Sequence, residues 1–191
     1  MKVVILGYNG LIGNSILEYL IKNNSLYIIC VGRNIEKKPY RNQRIKYYKW
    51  DYTSFKSSNL FFLKKANIII NCVGKTDNNQ NNLKNINIIF IKKLLSHINN
   101  LKHKVRFVHL SSVAVYGGIK TYFGQSKHIT ETSAIKAYDL YSKSKFKGDA
   151  LIQNAHKKNF SYTIFRITNV FGGKKKSNLY KFLKFSLMFG F

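Results

Sequence analysis

Near the N-terminus a short apolar run, Val3-Val4-Ile5-Leu6, stops at Gly7, and glycines recur at Gly10 and Gly13. Apolar residues at helical spacing follow: Leu11, Ile12, Ile16, Leu17, Leu20 and Ile21. The pattern predicts a strand, a tight turn and a helix. Gly7 suits the sharp turn off the strand, Gly10 lets backbone N–H groups approach a phosphate, and Gly13 lets the helix pack on the strand. The helix N-terminus, with Leu11 and Ile12 in its first turn, then faces the pyrophosphate of a dinucleotide. The spacing is G-x-x-G-x-x-G, not the commoner G-x-G-x-x-G. A plain turn with no ligand is the competing reading of three glycines.

Strand and helix signals alternate along the rest of the chain. Strands are expected at 26–31, 45–50, 67–73, 105–110 and 162–166, and helices at 55–65, 83–98, 138–158 and 178–188. Residues 113–137 look irregular. Strands separated by helices of this length predict an α/β fold, a Rossmann-type doubly wound parallel sheet covered on both faces. At 191 residues the chain is expected to form one domain. No stretch is long and apolar enough to span a membrane, and the first strand leads straight into the glycine turn rather than into a signal peptide. A cytoplasmic protein is expected. Cys30 and Cys72 end apolar runs and read as small buried hydrophobes rather than as a disulfide or metal pair.

Thirty-three Lys and Arg face seven Asp and Glu, a net charge of +26. Nucleic acid or an anionic surface is one partner class that such a balance suggests. The lysines are scattered, however, and the one tight cluster is Lys174-Lys175-Lys176. No nucleic-acid motif accompanies them. Compositional drift in a chain rich in Lys, Asn and Ile is favoured over a nucleic-acid surface, although drift does not account for the missing acids.

The second strand ends Cys30-Val31-Gly32-Arg33-Asn34, without the carboxylate that would bind the ribose 2′-hydroxyl of NAD. Arg33 is placed to pair with a 2′-phosphate, so NADP(H) is expected over NAD(H), with NAD(H) still possible. Asp51, after the third strand, is positioned to contact the adenine amino group. Tyr141 and Lys145 lie four apart on one helix face. Lowering a tyrosine from its usual ~10 to about 7 takes roughly 4 kcal/mol. An ammonium at ~4 Å supplies about that at an effective dielectric of 20. A serine hydroxyl from the Ser111–Gly117 segment could orient a substrate hydroxyl. Together these residues suit hydride transfer at a carbinol, with Tyr141 moving the proton.

With these motifs in this order, the chain resembles the extended short-chain dehydrogenase/reductase family, the NAD(P)-dependent nucleotide-sugar epimerases, dehydratases and reductases. The resemblance is carried by Gly7-x-x-Gly10-x-x-Gly13, Asp51, Asn71-Cys72-Val73-Gly74, Ser111 to Gly117, and Tyr141-Ser-Lys-Ser-Lys145. Asn87 matches a family asparagine, and Phe165-Arg166-Ile167-Thr168-Asn169-Val170-Phe171-Gly172 is similar to the family's L-R-x-x-N-V-Y-G segment. The likeness implies Ser112, Tyr141 and Lys145 as catalytic residues. It implies cofactor contacts at Gly7, Gly10, Leu11, Ile12, Gly13, Arg33, Asp51, Val73, Gly74, Tyr141 and Lys145, and a nucleotide-linked sugar as substrate. Dehydratases of the family carry Thr-Asp-Glu where this chain has Ser112-Val113-Ala114, which leaves epimerisation or keto-reduction. The family also implies a homodimer through the helices at 83–98 and 138–158, and it continues past N-V-Y-G into a substrate lobe. Residues 1–172 are therefore expected to form the cofactor domain, and 173–191 a remnant of that lobe or a capping helix. Gly173, where proline is usual, and the missing proline before Tyr141 are smaller departures. A non-catalytic cofactor-binding domain and a basic nucleic-acid or membrane-surface binder are the alternatives.

Overall fold

Val3 to Leu6 are all buried, Val3 and Ile5 against one face and Val4 and Leu6 against the other. A strand covered on both faces belongs inside a sheet. In the computed structural model, which describes residues 1–35, 38–53, 57–117, 128–155 and 160–170, this strand is β1 (Lys2–Leu6). Around it stand β2 (Tyr27–Gly32), β3 (Ile45–Lys49), β4 (Ile68–Asn71), β5 (Val105–Ser112) and β6 (Phe160–Ile167). The helices are α1 (Leu11–Leu20), α2 (Gln80–Lys84), α3 (Phe90–Asn99) and α4 (Leu140–Asn154).

The six strands are parallel, in the order β3-β2-β1-β4-β5-β6. The chain winds outward from β1 to β3, returns across β1 to β4, and winds outward the other way. The loops after β1 and β4 therefore diverge, and the crevice between them is where open α/β sheets bind ligands. This is the doubly wound sheet that the alternating pattern predicts. One face packs α1 through Leu17 against Val3, Ile5, Ile28 and Cys30. The other packs Phe90, Ile91, Leu94 and Ile152 against Val4, Leu6, Ile69 and Phe107. Each such side chain contributes about 1.5–3 kcal/mol by leaving water.

Two elements differ from expectation. The helix expected at 55–65 is, in its described part, a 3₁₀ turn at Ser57–Leu63; Ser57, Ser58 and Asn59 are weak helix formers. The stretch at 83–98 is not one regular helix. It begins at Gln80, where the Asn79 side chain accepts from the Asn82 N–H at 3.1 Å, and it contains a π-turn at Asn85–Ile89. The π-turn adds a residue without breaking the apolar stripe, so periodicity alone does not reveal it. Phe55, Lys158, the 171–173 segment, the Lys174–Lys176 cluster, the helix at 178–188 and the boundary after residue 172 lie outside the described residues. The two thiols are free, and burial pushes both up to about 12, away from reactive thiolate character. Among the described residues no helix is long and apolar enough to cross a membrane, and no cluster of His, Cys, Asp and Glu could hold a metal ion.

Candidate active site

The turn after β1 is built as the glycine spacing requires. Gly7 has φ +80°, a conformation that disfavours any side chain. Its N–H donates to Val31 O at 2.8 Å and lies 2.9 Å from the Tyr52 hydroxyl, which itself donates to Val31 O at 2.8 Å. Gly10 N–H donates back to Gly7 O at 3.0 Å and starts α1 with no side-chain cap. The first-turn N–H groups of α1 are thus left for an outside acceptor. Gly13 sits where α1 crosses the turn: a Cβ there would lie 2.3 Å from Gly7 O.

Two cavities open on the crevice and share Cys72, Val73 and Gly74. The smaller, about 250 Å³, is lined by Gly7, Asn9, Gly10, Arg33, Tyr52, Thr53, Lys75, Asn82, Asn85 and Ile86 as well. Its charged lining, among the described residues, is Arg33 and Lys75. Asp51 stands beside it, exposed. Its carboxylate accepts from Thr53 N–H at 3.0 Å and Thr53 Oγ1 at 2.7 Å. These bonds, with a smaller pull from Arg33, hold it below its ordinary value. Tyr52 is fixed from below by Trp50 and Phe90, with ring centroids 5.2 and 5.3 Å away.

The larger cavity, about 950 Å³, brings together Leu11 and Ile12 of α1, Leu110 to Ala114 at the end of β5, Tyr141 and Lys145 of α4, and Ile167 to Val170 after β6. Of the predicted residues, Ser112, Tyr141 and Lys145 meet here. Gly7, Gly10 and Arg33 line the smaller cavity, and Leu11 and Ile12 the larger. Val73 and Gly74 border both. Gly13 serves packing rather than lining. Ser112 ends β5, two residues later than the sequence suggests, and its Oγ accepts from Ala114 N–H at 3.2 Å.

Local chemistry sets the entry of α4. The Asp139 carboxylate accepts from Ser142 N–H at 2.6 Å, and Ser142 Oγ accepts from Asp139 N–H at 3.2 Å, a capping box around Tyr141. The π-turn carries Asn87 to α4, where Asn87 Nδ2 donates to Ser144 Oγ at 2.9 Å. Ser144 Oγ in turn donates to Tyr141 O at 2.7 Å. A Cβ on Gly148 would lie 2.7 Å from Asn87 O, so glycine permits this approach. Asn87 also bonds Lys75 N and O, each at 3.0 Å, tying the β4 loop to α4.

Tyr141 and Lys145 stand in different electrostatic surroundings. Lys145 Nζ donates to Leu110 O at 2.7 Å. Burial holds the Tyr141 phenol above its ordinary value, with the Ser112 hydroxyl acting downward and Asp139 upward. Burial brings Lys145 down to about 8, partly countered by Asp149. His109 is buried and held well below its usual value, first by burial and then by Lys145. It is neutral, accepting at Nδ1 from Asn71 Nδ2 at 3.0 Å.

Lys145 carries a pH-dependent stability term. Between about 8 and its ordinary 10.5 the unfolded chain binds the proton that the folded chain has lost. Stability therefore rises with pH through this window. In Lys145→Met that rise is expected to flatten, the difference moving toward the wild type by up to about 3 kcal/mol. Denaturant titrations at stepped pH measure it; parallel curves for the two proteins would refute it.

The cavities fit a nicotinamide dinucleotide: a side-chain-free turn, an uncapped helix N-terminus and two cations lie on one side, and a hydroxyl, a phenol and a buried amine on the other. Over residues 3–184 the sequence matches the NAD dependent epimerase/dehydratase family. The chain belongs to this family. Among its relatives, the Bifunctional polymyxin resistance protein ArnA of Wigglesworthia glossinidia brevipalpis is 32% identical over 179 residues, which is 90% of this chain and 27% of that protein. UDP-glucuronic acid 4-epimerase from Bacillus cereus, solved with NAD, shares the fold at TM-score 0.80 and 20% identity, over 98% of this chain and 63% of that one. The Bordetella bronchiseptica enzyme WbmH, solved with NAD+, does so at TM-score 0.77 and 16% identity, over 99% and 62%. The chain thus spans about a quarter of the ArnA protein and under two thirds of the epimerase. Membership makes this a chain of an NAD-dependent enzyme family with a nicotinamide cofactor.

Proposed function

We propose that this chain is an NADP(H)-dependent epimerase or keto-reductase acting on a nucleotide-linked sugar, with Tyr141 as acid/base. The observation that carries the reading is the larger cavity, which touches both the first turn of α1 and the trio Ser112, Tyr141 and Lys145. When bound, the nicotinamide supplies the acceptor or donor of hydride. Tyr141 takes the proton from a substrate hydroxyl as the carbonyl forms, and returns it in the reverse direction. Ser112 holds the same oxygen through its hydroxyl and keeps the phenol in line. Lys145, buried and bonded to Leu110 O, contributes positive charge beneath the site. The UDP-glucuronic acid and UDP-galactose 4-epimerases that share this fold support a UDP-linked sugar as the first substrate class to try.

For the cofactor half, Arg33 and Lys75 on the lining favour the extra phosphate of NADP(H), while Asp51 sits outside it. A charge-assisted bond to that phosphate is worth about 1.5–3 kcal/mol. Arg33→Ala is therefore expected to weaken NADPH by roughly ten- to a hundredfold and to leave NADH nearly unchanged. Fluorescence titration with both nucleotides at two salt concentrations tests this. Saturable binding with NADPH preferred, followed by turnover of UDP-glucuronic acid or UDP-glucose, supports the proposal. Tighter NADH binding removes the Arg33 argument, and NADPH binding with no sugar turnover favours a non-catalytic cofactor domain. Weak binding that salt abolishes, together with steeply salt-dependent oligonucleotide binding, would favour a polyanion binder.

A further inference from the structure

We infer that Asp149 and Arg166 are positioning residues for the proposed reaction, the ion pair between the buried carboxylate and the half-buried guanidinium locking the turn that carries Ser112 to the helix that carries Tyr141 and Lys145. This rests on reading the larger cavity as a hydride-transfer site. Asp149 is fully buried on α4, one helical turn beyond Lys145. Its Oδ2 accepts from Arg166 Nε at 3.1 Å. Arg166 Nη1 donates to the Tyr116 hydroxyl at 2.7 Å, and its guanidinium carbon lies 5.0 Å from the centre of the Tyr116 ring. Arg166 is on β6, in register with Ser111 of β5. Tyr116 closes the 3₁₀ turn Val113–Tyr116 that Ser112 caps. One guanidinium thus binds three segments: the end of β5 with its turn, α4 and β6.

None of the three side chains lines the cavity, so none acts on substrate directly. A buried carboxylate is costly unless paired, and an apolar pair of similar shape would often be as stable. What the ion pair adds is direction. The fork of Arg166 fixes where Tyr116 and Asp149 stand relative to each other. Tyr116 lies four residues after Ser112, and Asp149 four after Lys145 and eight after Tyr141 on the same side of α4. Burial holds the Asp149 carboxyl above its ordinary value, and the Ser111 hydroxyl facing its second oxygen, together with Arg166, acts downward. Neither that oxygen nor the Ser111 hydroxyl has a hydrogen bond of good geometry. An ångström of slippage between turn and helix would part the Ser112 hydroxyl from the Tyr141 phenol, and misplacement on that scale can cost about a hundredfold in rate.

The test compares NADPH with 2′,5′-ADP, its adenosine half, on wild type, Asp149→Asn, Arg166→Met and Tyr116→Phe, with thermal melts alongside. NADH and ADP replace them if the wild type prefers NADH. The expected result is 2′,5′-ADP affinity within about twofold of wild type throughout. NADPH affinity falls about tenfold in the first two variants and about threefold in Tyr116→Phe, with a smaller emission gain for bound NADPH. Unchanged NADPH affinity and emission overturn the inference. So does a parallel fall for both ligands tracking the melting temperature, which is what a merely structural pair would give. Should Asp149→Asn and Arg166→Met not fold, Tyr116→Phe, which keeps the ion pair, decides by the same split. A wild type that binds neither reduced nucleotide brings down the reading of the cavity, and this inference with it.

Discussion

Gly13→Ala is expected to lower the melting temperature by several degrees and to weaken cofactor binding by at least tenfold. The added Cβ would stand 2.3 Å from Gly7 O and 2.9 Å from Gly7 C and Tyr8 Cα. All three are backbone atoms of the turn, so no side chain can swing aside. Either α1 lifts off the turn or the turn opens, and both displace the first-turn N–H groups of α1. Overpacking of this kind costs about 1–3 kcal/mol. Alanine's better helix propensity returns at most ~1 kcal/mol. With three backbone contacts violated at once the cost lies in the upper part of that range, so a net loss of about 1–2 kcal/mol remains, which for a chain of this size is a drop of roughly 2–8 °C. Gly74→Ala is the control for stability: its Cβ would meet Lys145 Nζ at 3.6 Å and Asn87 Oδ1 at 3.7 Å, ordinary contacts. Equal melting temperatures for the two variants, or wild-type NADPH affinity in Gly13→Ala, would remove the argument.

Tyr141→Phe is expected to cut turnover by about 10²–10⁴-fold, the range for loss of a general acid/base, with NADPH affinity little changed. The ring stays and only the hydroxyl goes. Since burial holds the phenol above its ordinary value, the oxidative direction is expected to speed up as pH rises, because it needs the deprotonated phenol. The Phe variant should lose that limb. A variant that retains wild-type turnover would end the assignment of Tyr141.

The sheet was legible because its signal is local and redundant. Runs such as Val3–Leu6 and the apolar stretch around Ile68–Asn71 are too short for helices and too apolar for surface strands, and each of the six strands stands within two residues of its expected ends. The glycine turn was legible for a steric reason, since only a side-chain-free backbone allows the approach of α1 to Gly7. The trio Ser112, Tyr141 and Lys145 could be nominated from two distant segments because their order matches a family. What the sequence did not show depends on contacts across the fold. Tyr52, Asn9, Lys75, Asn82 and Asn85 line the smaller cavity only because the β3, β1, β4 and α2 ends converge there. The π-turn hides inside unbroken apolar periodicity. The partner of Lys145 Nζ is a main-chain carbonyl, which no residue type announces. The Asp149–Arg166–Tyr116 brace joins residues from three elements; the scarcity of acids in the chain was the one available hint that Asp149 mattered.

The placing of β1 at the centre of the sheet has a consequence during synthesis. Of the six strands β1 leaves the ribosome first, and β2, followed by β3 beyond it, can settle on one of its sides as soon as they emerge. Its other side waits for Ile68–Asn71, the segment that pairs with Val3–Leu6. Until then the nascent chain presents an open, apolar strand edge, the kind of surface that recruits a second strand from a neighbouring chain. The same central strand that anchors the mature sheet is thus a hazard while half made, and the interval before residues 68–71 emerge is the one in which a chaperone would matter most.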